Sequence, residues 1–253
     1  MCYQAPHYPE KPSDSFYDLH RGKTIKKRAN FEEGVEPFTP TFSPKSPQDW
    51  NQDADFQRYG GNMEEYLRCY SAMVSQIDHN VGRIIDYLKT NGLWDNTAVF
   101  FTADHGDMQG SHGLKNKCYP WEESAGIPMI ARIPGGLSGV RRDDFVTGID
   151  TYPTFLEIAG IENQADIRGT SFARLLSDTA PQDRIAVSEG MNMDWTMICH
   201  GDYKLVLDRQ SATPDMLYNL QTDPFELTNL VDQPEQKERI AAMRSRLLEV
   251  LPA

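Results

Sequence analysis

From Met63 to Thr90 the apolar residues Leu67, Tyr70, Val74, Ile77, Val81, Ile84 and Leu88 recur at alternating spacings of three and four. That is the period of an amphipathic helix with one buried face, about eight turns long. Asn62 followed by Glu65 supplies a start resembling a capping box, and Asn91-Gly92 a left-handed stop. The run Thr97-Ala98-Val99-Phe100-Phe101-Thr102 follows at once. It is short, apolar and partly β-branched, as expected of a strand covered on both faces. A long helix feeding such a strand is half of a parallel α/β layer.

The remaining elements extend this layer and then depart from it. A second strand is expected at Pro128 to Ile133, closed by Pro134-Gly135-Gly136. Asp150 is positioned to cap a short helix from Tyr152 to Ala159, with Pro153 in its first turn and Gly160 ending it. From Arg184 the texture changes to short strands at Ile185–Ser188, Trp195–Cys199, Tyr203–Leu207 and Met216–Tyr218, separated by turn residues. They predict a small antiparallel sheet, followed by an amphipathic helix from Pro234 to Leu251. Residues 1–62 read as an irregular, Pro-rich loop segment carrying His7. The expected organisation is thus 1–62 irregular, 63–183 an α/β layer, and 184–253 a small α+β subdomain.

Composition narrows the function. The chain has 253 residues, 39% apolar and 25% charged, enough for a real core and unlike a disordered polypeptide. Its net charge of −12 argues against a nucleic-acid partner, and any anion site must carry its own local positive charge. One local exception is the cluster Arg21, Lys23, Lys26, Lys27 and Arg28, which reads as a solvated loop or as a contact for a polyanionic substrate. No apolar run approaches the ~20 residues of a membrane span. Cys2, Cys69, Cys118 and Cys199 are too scattered for a disulfide scaffold or a Cys-x-x-Cys zinc site.

The chemistry concentrates in Phe101-Thr102-Ala103-Asp104-His105-Gly106-Asp107, directly after the first strand. Ligands of parallel α/β sheets collect beyond the carboxyl ends of strands. Asp104 and His105 offer a hard oxygen and an imidazole nitrogen to a divalent metal, and Gly106 lets the backbone turn between them. Taken alone, such a pair is more often a hydrogen-bonded turn.

With Gly110-Ser111-His112-Gly113, Lys117, Trp121-Glu122-Glu123-Ser124 and Ile127-Pro128, the sequence resembles the C-terminal half of a sulfatase, in the alkaline-phosphatase-like superfamily. Gln76-Ile77-Asp78, Val81-Gly82, Asp150 to Gly160, Asp202-Tyr203-Lys204-Leu205, Leu217-Tyr218-Asn219-Leu220 and Asp223-Pro224 extend the likeness. Ala5-Pro6-His7-Tyr8-Pro9 looks like the family's Pro-His loop. The resemblance implies a partial alkaline-phosphatase-like parallel-sheet layer followed by the small antiparallel subdomain.

It further implies that Asp104 and His105 are two ligands of one divalent metal, calcium first, with magnesium, manganese or zinc also compatible. Lys117 would touch the sulfate and the leaving oxygen, and His7 would be a second sulfate contact. Many sulfatases have Asn where His105 stands, and the His form also occurs in phosphonate and phosphate ester hydrolases, which keeps that activity open. His112 is expected to be structural. The implied partner is a sulfated small molecule or carbohydrate, and family members are often periplasmic or secreted.

Two family features are missing from the sequence: a Cys-x-Pro-x-Arg or Ser-x-Pro-x-Arg motif, whose first residue becomes formylglycine, and an Asp-Asp metal-ligand pair. Cys118-Tyr119-Pro120-Trp121-Glu122 matches only at Cys and Pro, and Glu122 reverses the charge of the arginine position. The expectation is therefore a portion of a sulfatase, inactive alone, with an exposed sheet edge prone to self-association. A non-catalytic interaction protein retaining the fold is the other expectation consistent with the missing nucleophile.

Overall fold

A computed structural model of the chain describes residues 1–31, 59, 61–162, 167–190 and 194–251. It divides into two compact units. The described residues of the first are 1–31, 59, 61–97 and 109–115, and those of the second are 98–108, 116–162, 167–190 and 194–251.

The first unit is built on helix α2 (Met63–Thr90), with the short helix α1 (Asp14–Asp18) packed against it. The boundaries of α2 are those the periodicity predicts. Asn62 Oδ1 accepts from the amides of Glu64 and Glu65 at 3.0 and 3.2 Å, and Gly92 takes the left-handed conformation (φ 68°) after the last turn. The Glu65 carboxylate accepts instead from the Tyr17 hydroxyl (2.7 Å) and from Arg68 (2.8 Å). The buried face needs correction. Tyr66, Leu67, Cys69, Ala72 and Met73 are buried, but Val74 is 46% exposed and the later stripe residues are half-buried. Ile25, Phe31 and Tyr59 pack on the Tyr66–Leu67 end, so burial is concentrated there.

In the second unit, β1 (Val99–Thr102) is followed by the one-turn helix α3 (Glu122–Ala125) and by β2 (Met129–Arg132). The two strands pair antiparallel, from Val99 opposite Arg132 to Thr102 opposite Met129. This corrects the parallel layer expected for this pair. A parallel return needs a helical crossover, and the four-residue α3 is too short to be one. Nor is the pair covered on both faces, since Ile130 is 65% exposed. On the other face Phe100 meets Phe155 of α4 (Thr151–Ile158) edge-on at 4.7 Å.

Asp150 also departs from its expected role as the cap of α4. Its carboxylate accepts from the Thr147 amide (3.0 Å), the Thr170 amide (2.7 Å) and Arg184 (2.9 Å), tying three segments together.

The predicted C-terminal sheet is present as an antiparallel meander: β3 (Ile185–Glu189), β4 (Trp195–His200), β5 (Tyr203–Asp208) and β6 (Pro214–Asn219). The period of two in a strand sorts its side chains. Ile198, Leu205, Leu207 and Leu217 form a core with Ile240, Met243 and Leu247 of the terminal helix α5 (Lys237–Val250). The opposite face carries Trp195, Met197, Cys199, Lys204, Val206, Met216 and Tyr218, all buried.

Lys204 is the anomaly of that face: a fully buried lysine in a strand. Its Nζ donates to the Pro120 carbonyl (2.9 Å) and to Glu226 Oε1 (2.7 Å), and it pairs with Glu122 Oε1 (2.7 Å). Glu226 Oε2 in turn accepts from the Glu122 amide at 2.7 Å. Burial opposes the lysine's charge, but the two carboxylates outweigh it and hold its pKa above the ordinary value. Two carboxylates share one ammonium, and burial pushes the more enclosed Glu226 up to about 7 while Lys204 pulls it partly back.

Removing one partner of such a cluster strands the other charge. Lys204→Met should therefore cost about 3–5 kcal/mol in urea unfolding, and a loss under ~0.5 would contradict the clamp. Because Glu226 is raised when folded, its contribution favours the folded chain at low pH and is lost as pH rises from 4.5 through about 7. Urea midpoints compared at pH 5 and pH 8 should fall more in the native chain than in Glu226→Gln.

Candidate functional site

Asp104 and His105 stand just past the end of β1, where the sequence places them. The turn is organised by its own polar groups. Asp104 Oδ1 accepts from the His105 amide at 3.0 Å, and the Asp104 side chain is 89% exposed. His105 Nδ1 lies 2.7 Å from the Gly106 carbonyl oxygen. A carbonyl can only accept, so Nδ1 is the donor here, and in the neutral form of such a ring the lone pair is on Nε2. That nitrogen is 3.6 Å from Asp104 Oδ2. An imidazole whose far nitrogen donates to a backbone carbonyl, beside a solvent-facing carboxylate, is a donor pair suited to a divalent cation. Among the described residues no group of three or more His, Cys, Asp and Glu side chains could hold a metal. The turn fits the metal implied by the resemblance as two of its ligands.

Gly106 is required by a close approach. Its amide donates to the Ser124 carbonyl at 2.8 Å, and a Cβ at this position would overlap the Glu123 carbonyl oxygen. The turn is thereby pressed against α3. A second tie runs from the Met108 amide to the Asn116 carbonyl, 2.7 Å, immediately before Lys117. Lys117 is half-buried and sits between Asn116 (φ 65°) and Cys118 (φ 79°), both in the left-handed region. Such backbone is unusual for Cys, and the surrounding packing has to enforce it. The enforcement comes from the C-terminal sheet: Trp195 Nε1 donates to the Cys118 carbonyl at 3.1 Å, and Lys204 holds Pro120.

The segments bearing Asp104, His105 and Lys117 are therefore knitted together by backbone hydrogen bonds within one unit. His7 belongs to the first unit, exposed, with its Nδ1 2.9 Å from the Tyr8 carbonyl oxygen. His112, also in the first unit, is buried in a left-handed conformation (φ 52°), with Nε2 3.1 Å from the Asn30 side-chain nitrogen and its amide on the Asn30 carbonyl.

Sequence reading missed the supporting shell. Lys204 was visible only as part of Asp202-Tyr203-Lys204-Leu205, and Glu226 had no motif around it. The available signal was a lysine flanked by apolar strand residues, which in a sheet demands a buried counter-charge.

Comparison with known proteins bears on both units. The Sulfatase family model matches residues 3–161, and the model described as N-sulphoglucosamine sulphohydrolase, C-terminal, matches residues 110–252. The chain is 27% identical over 274 residues to an arylsulfatase of Clostridium perfringens, covering 99% of this chain and 52% of that protein. It is 29% identical over 188 residues to the N-acetylglucosamine-6-O-sulfatase of Bacteroides thetaiotaomicron, covering 70% of this chain and 34% of that protein. The chain thus spans about half or less of the length of these relatives.

Among solved structures, one in complex with its substrate D-glucosamine-2-N,6-O-disulfate matches with a TM-score of 0.74 at 21% identity, over 97% of this chain and 63% of that one. The phosphonate monoester hydrolase of Agrobacterium radiobacter matches with a TM-score of 0.64 at 24% identity, over 74% of this chain and 41% of that one. These likenesses establish the alkaline-phosphatase-like α/β fold.

Gly106→Ala should lose about 1–3 kcal/mol of stability in urea unfolding, because the clash is with backbone and no side chain can move aside. An unchanged midpoint would mean that the turn is not held against α3.

Proposed function

The chain belongs to the sulfatase family, and on that premise we propose that it is a portion of an enzyme that hydrolyses sulfate monoesters in its intact form. The observation that carries the proposal is the prepared Asp104–His105 pair, with Nδ1 engaged by the Gly106 carbonyl and Nε2 left to bind beside the carboxylate. In this reading Asp104 and His105 hold one divalent metal, calcium first, together with ligands from elsewhere in the fold. The metal's contribution is to offset charge on the sulfate oxygens. The Lys117 ammonium contacts the sulfate and donates to the oxygen of the departing alcohol, which gains negative charge as the ester bond breaks. His7 makes a second contact to the sulfate. The nucleophile, a formylglycine, comes from a part of the fold these residues do not include, so the isolated chain is inactive.

His105 in place of Asn supports a second reading, a phosphate or phosphonate ester hydrolase of the same superfamily. The ratio of turnover on an aryl sulfate to that on an aryl phosphate, measured on an intact enzyme carrying this segment, separates the two. A ratio well below one selects the second.

Calorimetric titration with calcium should give weak binding to the isolated chain that Asp104→Ala abolishes; unchanged affinity would remove Asp104 from the site. In an intact enzyme carrying this segment, Lys117→Ala should lower kcat by roughly 10²–10³ while leaving the unfolding midpoint in place. A native rate would refute the role of Lys117 at the leaving oxygen.

A further inference from the structure

The backbone on either side of Lys117 is tied down in two different ways. Asn116, before it, gives its carbonyl to the Met108 amide at 2.7 Å. Cys118, after it, gives its carbonyl to the Trp195 indole N–H at 3.1 Å. The first tie is main chain to main chain and runs to the turn that carries Asp104 and His105. The second depends on one side-chain atom of β4. A change at Trp195 therefore reaches the Lys117 backbone and leaves the bonds of the 104–108 turn in place.

The indole is itself fixed. Trp195 is 4% exposed, and Gly190 lies against its ring: a Cβ at Gly190 would stand 2.7 Å from Nε1 and 2.9 Å from Cδ1. The Gly190 amide donates to the Trp195 carbonyl at 2.9 Å, so backbone and ring are registered together. An indole N–H can only donate, and a buried one requires an acceptor. Cys118 supplies it while sitting at φ 79°, a conformation that a residue with a Cβ keeps only where its surroundings hold it. Further along, the Tyr119 amide donates to Ser124 Oγ (3.2 Å) and Lys204 holds the Pro120 carbonyl, so losing the indole N–H loosens only the stretch around Lys117.

We propose, on the sulfatase reading of Lys117, that Trp195 is a positioning residue that sets where the Lys117 ammonium meets the departing oxygen. In that step an oxygen of the nucleophile bonds to sulfur, and the bond from sulfur to the departing oxygen breaks. The departing oxygen keeps the electron pair, and Lys117 gives it a proton. The demand for this proton rises with the basicity of the leaving group. A misplaced ammonium therefore slows esters of basic alcohols and spares those whose leaving oxygen is stable as an anion.

The test measures kcat/KM on phenyl sulfate and on para-nitrophenyl sulfate in an intact enzyme carrying this segment. Two variants are compared with the native enzyme: Trp195→Phe, and benzothienylalanine placed at Trp195, which keeps the bicyclic ring but has no N–H. Both should lose roughly 10–100-fold on phenyl sulfate, the scale of a small misplacement of a reacting group. On para-nitrophenyl sulfate the loss should be about twofold or less. In the isolated chain, alkylation of Cys118 by iodoacetamide, followed by peptide mass, should become several-fold faster in both variants, because the segment opens more readily. Calcium affinity should stay native.

An equal loss on both esters would mean a merely structural role and would overturn the proposal. So would native rates in the benzothienylalanine variant, an unchanged rate of Cys118 alkylation, or weakened calcium binding. A native intact enzyme inert towards both esters would instead overturn the sulfatase reading, and the role of Lys117 with it.

Discussion

The Lys204 ammonium is enclosed by the Pro120 carbonyl and by the carboxylates of Glu226 and Glu122, and the candidate metal turn is held in place through it. A charge taken out of water persists only where its partners are complete. Here Pro120 and Glu122 come from the segment that runs into α3 and Glu226 from the chain after β6, so satisfying the lysine fixes both on the C-terminal sheet. The same segment offers the Ser124 carbonyl to Gly106 and the Asn116 carbonyl to Met108. Sheet, clamp, α3 and the turn at 104–107 form one mechanical series. Its hydrogen bonds run through a face that also buries Trp195, Met197, Val206, Met216 and Tyr218, while the other face of the sheet packs against α5.

This series explains how a site on short, irregular backbone can be pre-organised. Neither the turn at 104–107 nor the stretch around Lys117 has a regular element to stiffen it. Cys118 and Asn116 occupy left-handed backbone, and Gly106 makes a contact that no other residue tolerates. Cys118 is matched by Trp195 on the sheet, Gly106 by Ser124 of α3, and Asn116 by the Met108 amide. The orientation of the His105 ring follows from the same local order, since its Nδ1 finds a carbonyl of the turn itself.

Much of this was legible in the amino-acid sequence. The α2 boundaries follow from apolar spacing and from Asn62 and Gly92, both of which act at the ends as their chemistry requires. The four-stranded meander follows from alternation and turn residues. Strand pairing between β1 and β2 was not legible, because a short apolar run specifies burial and leaves the direction of its neighbour open. Asp150 was misread for a related reason: a carboxylate before a helix satisfies the rule for a cap, and only tertiary structure reveals that Thr170 and Arg184 claim it. Asp104 and His105 were singled out because they follow a strand within a stretch that resembles a sulfatase, since such a pair taken alone is more often a hydrogen-bonded turn. The Lys204–Glu226 pair is separated by more than twenty residues and joined only by folding.

The most direct test of the metal assignment is paramagnetic broadening of backbone amide signals by manganese(II) added to the isotopically labelled chain. The account predicts that broadening begins at Asp104, His105 and Gly106 and spreads to the segments bonded to them, with the His105 ring showing the tautomer protonated at Nδ1 before manganese is added. Broadening centred on other acidic surfaces, with the 104–106 amides unaffected, would contradict it.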